Sequence, residues 1–365
     1  MMDNTDKKKI VVSFSAIDPF VESNIIKPTI KVVRGQSYLE FGERNNYPNY
    51  IHNLYSSAPT LGSIINSIVD YGSGDEVKTK DVVFFRTDKE ARDFVRKALY
   101  DLAIYGGCYL NVLRNKLGQV CKLEVLDYRN VRTDEDNDWF WYSKDFKSDK
   151  TYGRIKTHAY EAFDKDSVAP SSVYYIKIND RQPYSLPMWQ QAVIPAELEK
   201  STNEFSLNEI NNGLMSNVII TLLNGIPTDE IKEQIEDAIE EKFSGFQNSG
   251  RPLLFFGNDK EHGLQVDKID SDNFADKYEK LTERCKQQIF TAFRCNANLC
   301  GVPTASGFSN EEYQSSYQLF YKTVVLPLQR SLTDALEDIA GKDLVEIVPF
   351  ALDFGEKRTI KDEVV

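Results

Sequence analysis

Histidine is scarce in this chain. His52, His158 and His262 are the only three in 365 residues, and they stand far apart with no Cys or carboxylate at ligand spacing. No zinc site, or any other metal or cofactor site, is therefore expected. Cysteine is sparse as well. Cys108, Cys121, Cys285, Cys295 and Cys300 make an odd number without framework spacing, which reads as reduced thiols of a cytosolic compartment. No apolar run approaches the ~20 residues that span a bilayer, and the polar start Met1-Met2-Asp3-Asn4-Thr5-Asp6 does not resemble a signal peptide. Basic blocks are missing too, apart from Lys7-Lys8-Lys9, and the formal net charge is −12. Tight static binding of duplex DNA draws on a basic face that releases counterions, so it is disfavoured. A surface that DNA slides past remains allowed.

Enzyme signatures are also missing. There is no phosphate-cradling loop of the G-x-x-x-x-G-K-[ST] type and no G-x-S-x-G elbow. Asp134-Glu135-Asp136-Asn137-Asp138 has the alternating carboxylates of a calcium loop. However, Trp139 replaces the glycine at its sixth position and Asp145 the glutamate at its twelfth, so a solvated acidic turn fits better. Other carboxylate pairs lack a neighbouring histidine or ligand pattern.

What is present is an ordinary folded composition, with 41% hydrophobic and 27% charged residues. Residues 1–45 alternate short β-prone pieces with polar turns and read as a loosely attached arm. From 46 to 185 an α+β region is expected. Helical spacing appears over Pro48–Leu54 and over Leu61–Tyr71, where Leu61, Ile64, Ile65, Ile68 and Val69 share a face and Gly72-Ser73-Gly74 is the stop. Asp88 is read as the cap of a third helix, Lys89 to Tyr105, ended by Gly106-Gly107. Strands are expected at Cys108–Arg114 and Val120–Leu126, hairpin-linked through Lys116-Leu117-Gly118, then at Trp139–Tyr142 and Val173–Ile178.

The second half is built differently. A long helix is expected over 186–213, with Pro195 either kinking it or marking its true start. A compact β-α-β-β unit over 214–270 follows: Asn217–Leu223, the acidic helix Asp229–Phe243, then Arg251–Phe256 and Leu264–Ile269. Next come a long helix over 271–298, a small-residue loop over 299–310, a helix over 311–340 that Pro327 should bend, and a last strand and tail over 341–365. In the 271–298 helix, Phe274, Tyr278, Leu281, Cys285, Ile289 and Ala292 form an apolar stripe. Lys277, Lys280 and Arg284 form a second stripe, and Asp272, Asp276, Glu279 and Glu283 a third. Three uses of these charges stay open: ion pairs within the helix such as Asp276–Lys280, the acidic stripe of one subunit against the basic stripe of the next in a ring, or basic side chains facing phosphates in a channel.

The order of these elements from about Pro187 to Ala340 resembles the portal proteins of tailed bacteriophages. The likeness is carried by Asn224-Gly225-Ile226-Pro227, Gly250-Arg251-Pro252-Leu253-Leu254-Phe255-Phe256, the run into Gly301-Val302-Pro303, Ser309-Asn310-Glu311-Glu312 and Val325-Leu326-Pro327. Upstream, Gly42-Glu43-Arg44-Asn45-Asn46-Tyr47-Pro48 and Tyr71-Gly72-Ser73-Gly74 are similar to the opening of the portal wing. The resemblance implies an α+β portal fold: a wing, a first stem helix (186–213), a clip (214–270), a second stem helix (271–298), a tunnel loop (299–310) and a kinked wing helix (311–340). With about 25 residues left after Ala340, the helical crown of many portals would be minimal or absent. Cys295, Asn296 and Cys300 stand in a run that is usually apolar in the family.

It further implies a non-enzymatic subunit of a ring, usually a dodecamer, located in the virion at one capsid vertex and assembled in the host cytoplasm. Pro303, Thr304, Ala305, Ser306, Gly307, Phe308 and Ser309 would face double-stranded DNA without sequence preference. Asp229, Glu230, Glu233, Glu236 and Glu240 of the clip would dock the terminase. Major capsid, scaffolding and head-completion or tail proteins would be further partners. Two rivals stand beside this: another structural or adaptor protein of a virion, and a metal-dependent nucleic-acid enzyme of an unrecognised α+β class.

Overall fold

The computed structural model describes residues 26–33, 37–144, 146, 157–179, 182–211, 218–222, 253–256, 264–268, 274–301 and 310–350. For 208–211, 218–222, 253–256, 264–268 and 274–278 only the backbone course is described. Two helices open the core, Tyr47–Ser57 (α1) and Pro59–Ser73 (α2), each with proline in its first turn. There proline's fixed φ helps and its missing N–H costs nothing. Leu61, Ile64, Ile65, Ile68 and Val69, the stripe read from spacing, are fully buried. Each side chain of that size stabilises by roughly 1.5–3 kcal/mol on leaving water.

The helix stop at Gly74 is dictated by a neighbour. Gly74 has φ 64°, and a Cβ there would lie 1.9 Å from the carbonyl oxygen of Val348. That carbonyl belongs to the last strand among the described residues. The strands Ile30–Val32 (β1) and Leu39–Phe41 (β2) form an antiparallel pair ahead of α1, and Glu76–Thr79 (β3) follows α2. Leu39 and Phe41 are buried, with Phe41 stacked on Tyr184 at 4.4 Å, so this end of the expected loose arm is part of the core.

The third helix, Asp88–Tyr105 (α3), has a different cap from the expected one. Thr87 is the N-cap, its hydroxyl accepting from the Glu90 N–H at 3.2 Å, while Glu90 accepts from the Arg86 N–H. Asp88 instead accepts from the Thr79 N–H at 2.8 Å, fastening α3 to β3. Sequence reasoning placed the cap one residue late because both residues are good cap formers. At the other end Gly106 has φ 75°, and a Cβ there would meet the Leu186 carbonyl oxygen at 2.1 Å.

Six strands form the main sheet: Gly107–Arg114 (β4), Val120–Leu126 (β5), Val131–Thr133 (β6), Trp139–Tyr142 (β7), His158–Ala162 (β8) and Ser171–Lys177 (β9). Their order is β5-β4-β9-β8-β7-β6, antiparallel except for the parallel pair β8–β9. The expected hairpin is there, with β4 and β5 paired from Tyr109–Leu126 to Arg114–Val120. The acidic turn between β6 and β7 is closed by Asp134, whose carboxylate accepts the N–H groups of Asp138 and Trp139. A second long-range lock is Arg132, which is 1% exposed and donates to the carbonyls of Asn45, Arg129 and Val131. It thereby holds the Gly42–Asn46 turn, where Arg44 and Asn45 adopt φ 53° and 58°.

The next helix, Val193–Asn211 (α4), begins later than expected. A 3-10 turn at Gln190–Ala192 precedes it, and Pro195 sits in its first turn, where proline initiates rather than breaks. Three strands of the following unit are described: Val218–Leu222 (β10) lies between Leu253–Phe256 (β11), which is parallel to it, and Leu264–Lys268 (β12), which is antiparallel. The expected helix over 229–243, with Asp229, Glu230, Glu233, Glu236 and Glu240, lies outside the described residues.

Phe274–Phe293 (α5) returns alongside α4 and also packs on α2. It ends five residues before the expected 298, because Arg294 turns left-handed at φ 53° and a 3-10 turn, Ala297–Cys300, follows. Beyond the loop, Asn310–Phe320 (α6) passes through a π-helical turn at Tyr321–Val325 into Leu326–Ala340 (α7). A π-helical turn lies one turn upstream of Pro327, and its wider spacing accommodates proline's missing hydrogen bond. Leu328, Leu332, Ala335, Leu336 and Ile339 of α7 are buried, and α7 packs on α3 and β9. Finally Val345–Val348 (β13) pairs antiparallel with β3, a pairing of strands separated by most of the chain.

Candidate functional site at the helix–loop–helix junction

The junction between α5 and α6 is assembled on α2. One face of α5 is apolar and hidden, with Cys285, Ile289 and Phe293 all at most 1% exposed. Phe293 stacks against Trp189 at 6.3 Å, and the Trp189 indole N–H donates to the Ala103 carbonyl at 3.0 Å. This ties α5 to the end of α3 and to the turn that opens α4. The opposite face carries Glu279, Lys280, Glu283 and Arg284, all exposed. Within it Gln287 donates to Glu283 at 3.4 Å. Asp276 and Lys277 lie in α5 with only their backbone described.

After Arg294 the chain is clamped at successive residues. Tyr71 donates its hydroxyl to the Leu299 carbonyl at 2.8 Å, Ser67 reaches the same carbonyl at 3.5 Å, and Ser63 donates to the Cys300 carbonyl at 3.2 Å. Burial pushes the Tyr71 phenol well above its ordinary pKa, followed by its hydrogen bond with Tyr313, so it stays protonated and donating. Leu299 is itself buried. Beyond Gly301 the chain re-enters at Asn310, and Tyr317 and Phe320 of α6 bury against Tyr71 with ring centroids 5.1 and 6.4 Å away. Asn296 donates across the junction to Ser316 at 2.7 Å. The residues just before the segment 302–309 are therefore held on α2, and α6 joins the same stretch of α2 from Tyr313 onward, while Asn310, Glu311 and Glu312 stay exposed. Pro303, Thr304, Ala305, Ser306, Gly307, Phe308 and Ser309 themselves lie outside the described residues.

The π-helical turn after α6 is held in the same way. Gln329 donates to the Gly72 carbonyl at 2.7 Å and accepts from Tyr321 at 2.7 Å. This satisfies an orphan carbonyl in the last turn of α2. The motif Tyr71-Gly72-Ser73-Gly74 is thus the surface to which the loop root, the start of α7 and β13 all attach.

Sequence reasoning did not single out Ser63, Ser67 and Tyr71 as a set. Their signal was a polar row at four-residue steps on an otherwise apolar helix, which puts the three on one face. Beside the row lies an open cleft where Arg96 pairs with Asp70 at 2.9 Å and donates to Ser73 at 3.1 Å. Among the described residues no three His, Cys, Asp or Glu side chains converge as a metal would require. No described helix is long and apolar enough to cross a membrane. The arrangement is suited to anchoring a loop.

Comparisons with known proteins agree with this architecture. A family model described as Phage portal protein matches residues 35–347. The chain is 20% identical over 265 residues to the probable portal protein of Escherichia phage P2, covering 72% of this chain and 71% of that protein. In fold it is similar to a chain in the neck of an empty gene transfer agent particle computed with C6 symmetry, with a TM-score of 0.54, 17% identity, and coverage of 83% of this chain and 84% of that one. A chain in the neck of a native particle computed with C12 symmetry gives a TM-score of 0.52 at 17% identity, covering 82% and 83%. With the family matched from Gly35 through β13, the α+β portal fold accounted for and the loop root built as described, the chain belongs to the phage portal protein family and is a subunit of a portal ring at the capsid vertex.

Proposed function

We propose that this portal subunit assembles with its own copies into a ring, usually a dodecamer in its family, that conducts double-stranded DNA during packaging and ejection. The segment 302–309 faces the DNA in this reading. The observation that carries it is the anchoring on α2 of Leu299 and Cys300, just before that segment, with α6 packed on the same helix from Tyr313 onward. A loop that must meet passing DNA needs a rigid base, and the Tyr71, Ser67 and Ser63 row supplies one. The net charge of −12 suits weak, sequence-independent contacts that let DNA slide. The role is structural and non-catalytic, with packaging driven by the ATP of a separate motor.

The exposed charges of α5 supply a subunit contact. Glu279 and Glu283 lie beside Lys280 and Arg284 on the face turned away from α4 and α2. Head-to-tail placement of copies brings unlike stripes together and closes a ring. On α4, Ile194 and Leu198 stand one turn apart at 56% and 39% exposure, an apolar patch that a neighbour would cover. The acidic residues Asp229, Glu230, Glu233, Glu236 and Glu240 are the surface proposed for the terminase. Capsid, scaffolding and head-completion proteins bind elsewhere on the ring.

The test is deletion of Thr304–Gly307, with ring formation and DNA packaging measured side by side. Rings should form as before while packaged or retained DNA falls. Loss of rings on deletion would show the segment to be an assembly element and would sink the DNA-facing assignment.

A further inference from the structure

We propose that Cys295 and Cys300 form a redox modification site, a dithiol that a small-molecule disulfide converts to an intramolecular disulfide at the root of the 302–309 segment. The two sulfurs lie 3.5 Å apart, in van der Waals contact, where the bond itself is roughly 2.05 Å. Their approach is produced by the backbone. Arg294 turns left-handed at φ 53°, the Cys295 N–H closes back on the Phe290 carbonyl at 3.0 Å, and the 3-10 turn Ala297–Cys300 folds the second cysteine onto the first.

The turn is already fixed before any oxidation. Tyr71 and Ser63 hold the carbonyls of Leu299 and Cys300, and Asn296 is held by Ser316. Bringing the sulfurs together therefore costs little further entropy, the condition under which an intramolecular thiol outcompetes a second external one.

The two thiols are not equivalent. Cys295 is buried and Cys300 half-buried. The hydrogen bond between them pushes the Cys295 thiol up and holds Cys300 down, with Ser67 also lowering Cys300. Cys300 is thus the attacking sulfur and Cys295 the resolving one. Cys300, losing its proton, attacks one sulfur of a disulfide such as glutathione disulfide and expels one thiolate, which takes up a proton. Cys295, losing its proton, then attacks the Cys300 sulfur of the mixed disulfide and expels the second, likewise protonated. Two thiols of the protein are oxidised and one disulfide is reduced to two thiols, so atoms and electrons balance. The site stands on the chain's own geometry, whatever the segment 302–309 contacts. Closing it would covalently fix the turn from which that segment departs.

The experiment uses the full chain, folded, and glutathione disulfide at a dose that modifies all five thiols of the urea-unfolded chain. Trypsin cleavage after Arg294 and Lys322 places both cysteines in one peptide, 295–322. The expected product is that peptide about 2 Da lighter than its reduced form and resistant to alkylation until reduced. Cys295→Ser should leave Cys300 carrying one glutathione, and Cys300→Ser should leave Cys295 free. Recovery of 295–322 from the folded wild-type chain with two free thiols, or with two glutathiones, would overturn the proposal.

Discussion

Replacing Tyr71 by Phe removes one hydroxyl from the loop root and keeps the ring that packs on Tyr317 and Phe350 at 5.1 and 5.2 Å. The Leu299 carbonyl is then left with only the distant Ser67 hydroxyl at 3.5 Å, whose single proton has the nearer Ser63 carbonyl at 3.0 Å as its acceptor. A typical net hydrogen bond contributes about 1 kcal/mol, and an under-served buried carbonyl raises the loss to about 1–3 kcal/mol. The cost should be local, because the apolar contacts of α2 are untouched. Amide hydrogen exchange reads it directly: the Leu299 N–H bonds the Asn296 carbonyl and the Gly301 N–H bonds that of Asn298. A loss of about 1–3 kcal/mol corresponds to exchange faster by roughly 5- to 160-fold at these two amides, with β4 and β9 unchanged. If exchange at Leu299 and Gly301 does not change in Tyr71→Phe, the anchoring argument is wrong. Faster exchange in β4 and β9 as well would mean that the change is global and would also refute it.

Other consequences follow from single contacts. Gly74→Ala combines a backbone at φ 64°, ψ −168°, a region essentially reserved for glycine that costs other residues about 1–3 kcal/mol, with a Cβ 1.9 Å from the Val348 carbonyl oxygen. It should lower the melting temperature and strip protection from Val345–Val348, and wild-type protection there would contradict it. Ile289→Ala empties a fully buried site on α5 and should cost about 2–5 kcal/mol in chemical denaturation; a change below the fitting error would mean that α5 is not seated on α2 and α4. Asp81 pairs with Lys342 at 2.6 Å, and that hydrogen bond is the main cause holding its carboxyl below the usual range. A depressed carboxyl stabilises above its unfolded pKa of about 3.9 and loses that contribution as pH falls through the lower folded value. Lys342→Met should therefore destabilise at neutral pH and converge with the wild type in acid, as thermal unfolding against pH would show.

The elements that the sequence disclosed are those whose signals are local. The α2 stripe from Leu61 to Val69 and the Gly106 stop of α3 lie within a few residues of their causes, and so does the β4–β5 hairpin. The hidden parts depend on contacts across the chain. Nothing near Glu76–Thr79 announces Val345–Val348 as its partner, and three-residue strands such as Val131–Thr133 are too short to show a period. Arg132 reads as a surface cation until Asn45 is placed beside it. The loop root was half legible: its helices were visible, but the Ser63, Ser67 and Tyr71 row looked like ordinary polar positions. The cysteine pair was hidden for a geometric reason, since the left-handed turn at Arg294 brings five-residue neighbours together where helical or strand spacing would not.

The most direct test is electron microscopy of the purified chain, alone and coexpressed with capsid and scaffolding proteins. Closed rings with a central channel, built from copies of this one subunit, are the predicted result. Monomers only, under every assembly condition and with those partners supplied, would contradict the portal-ring account.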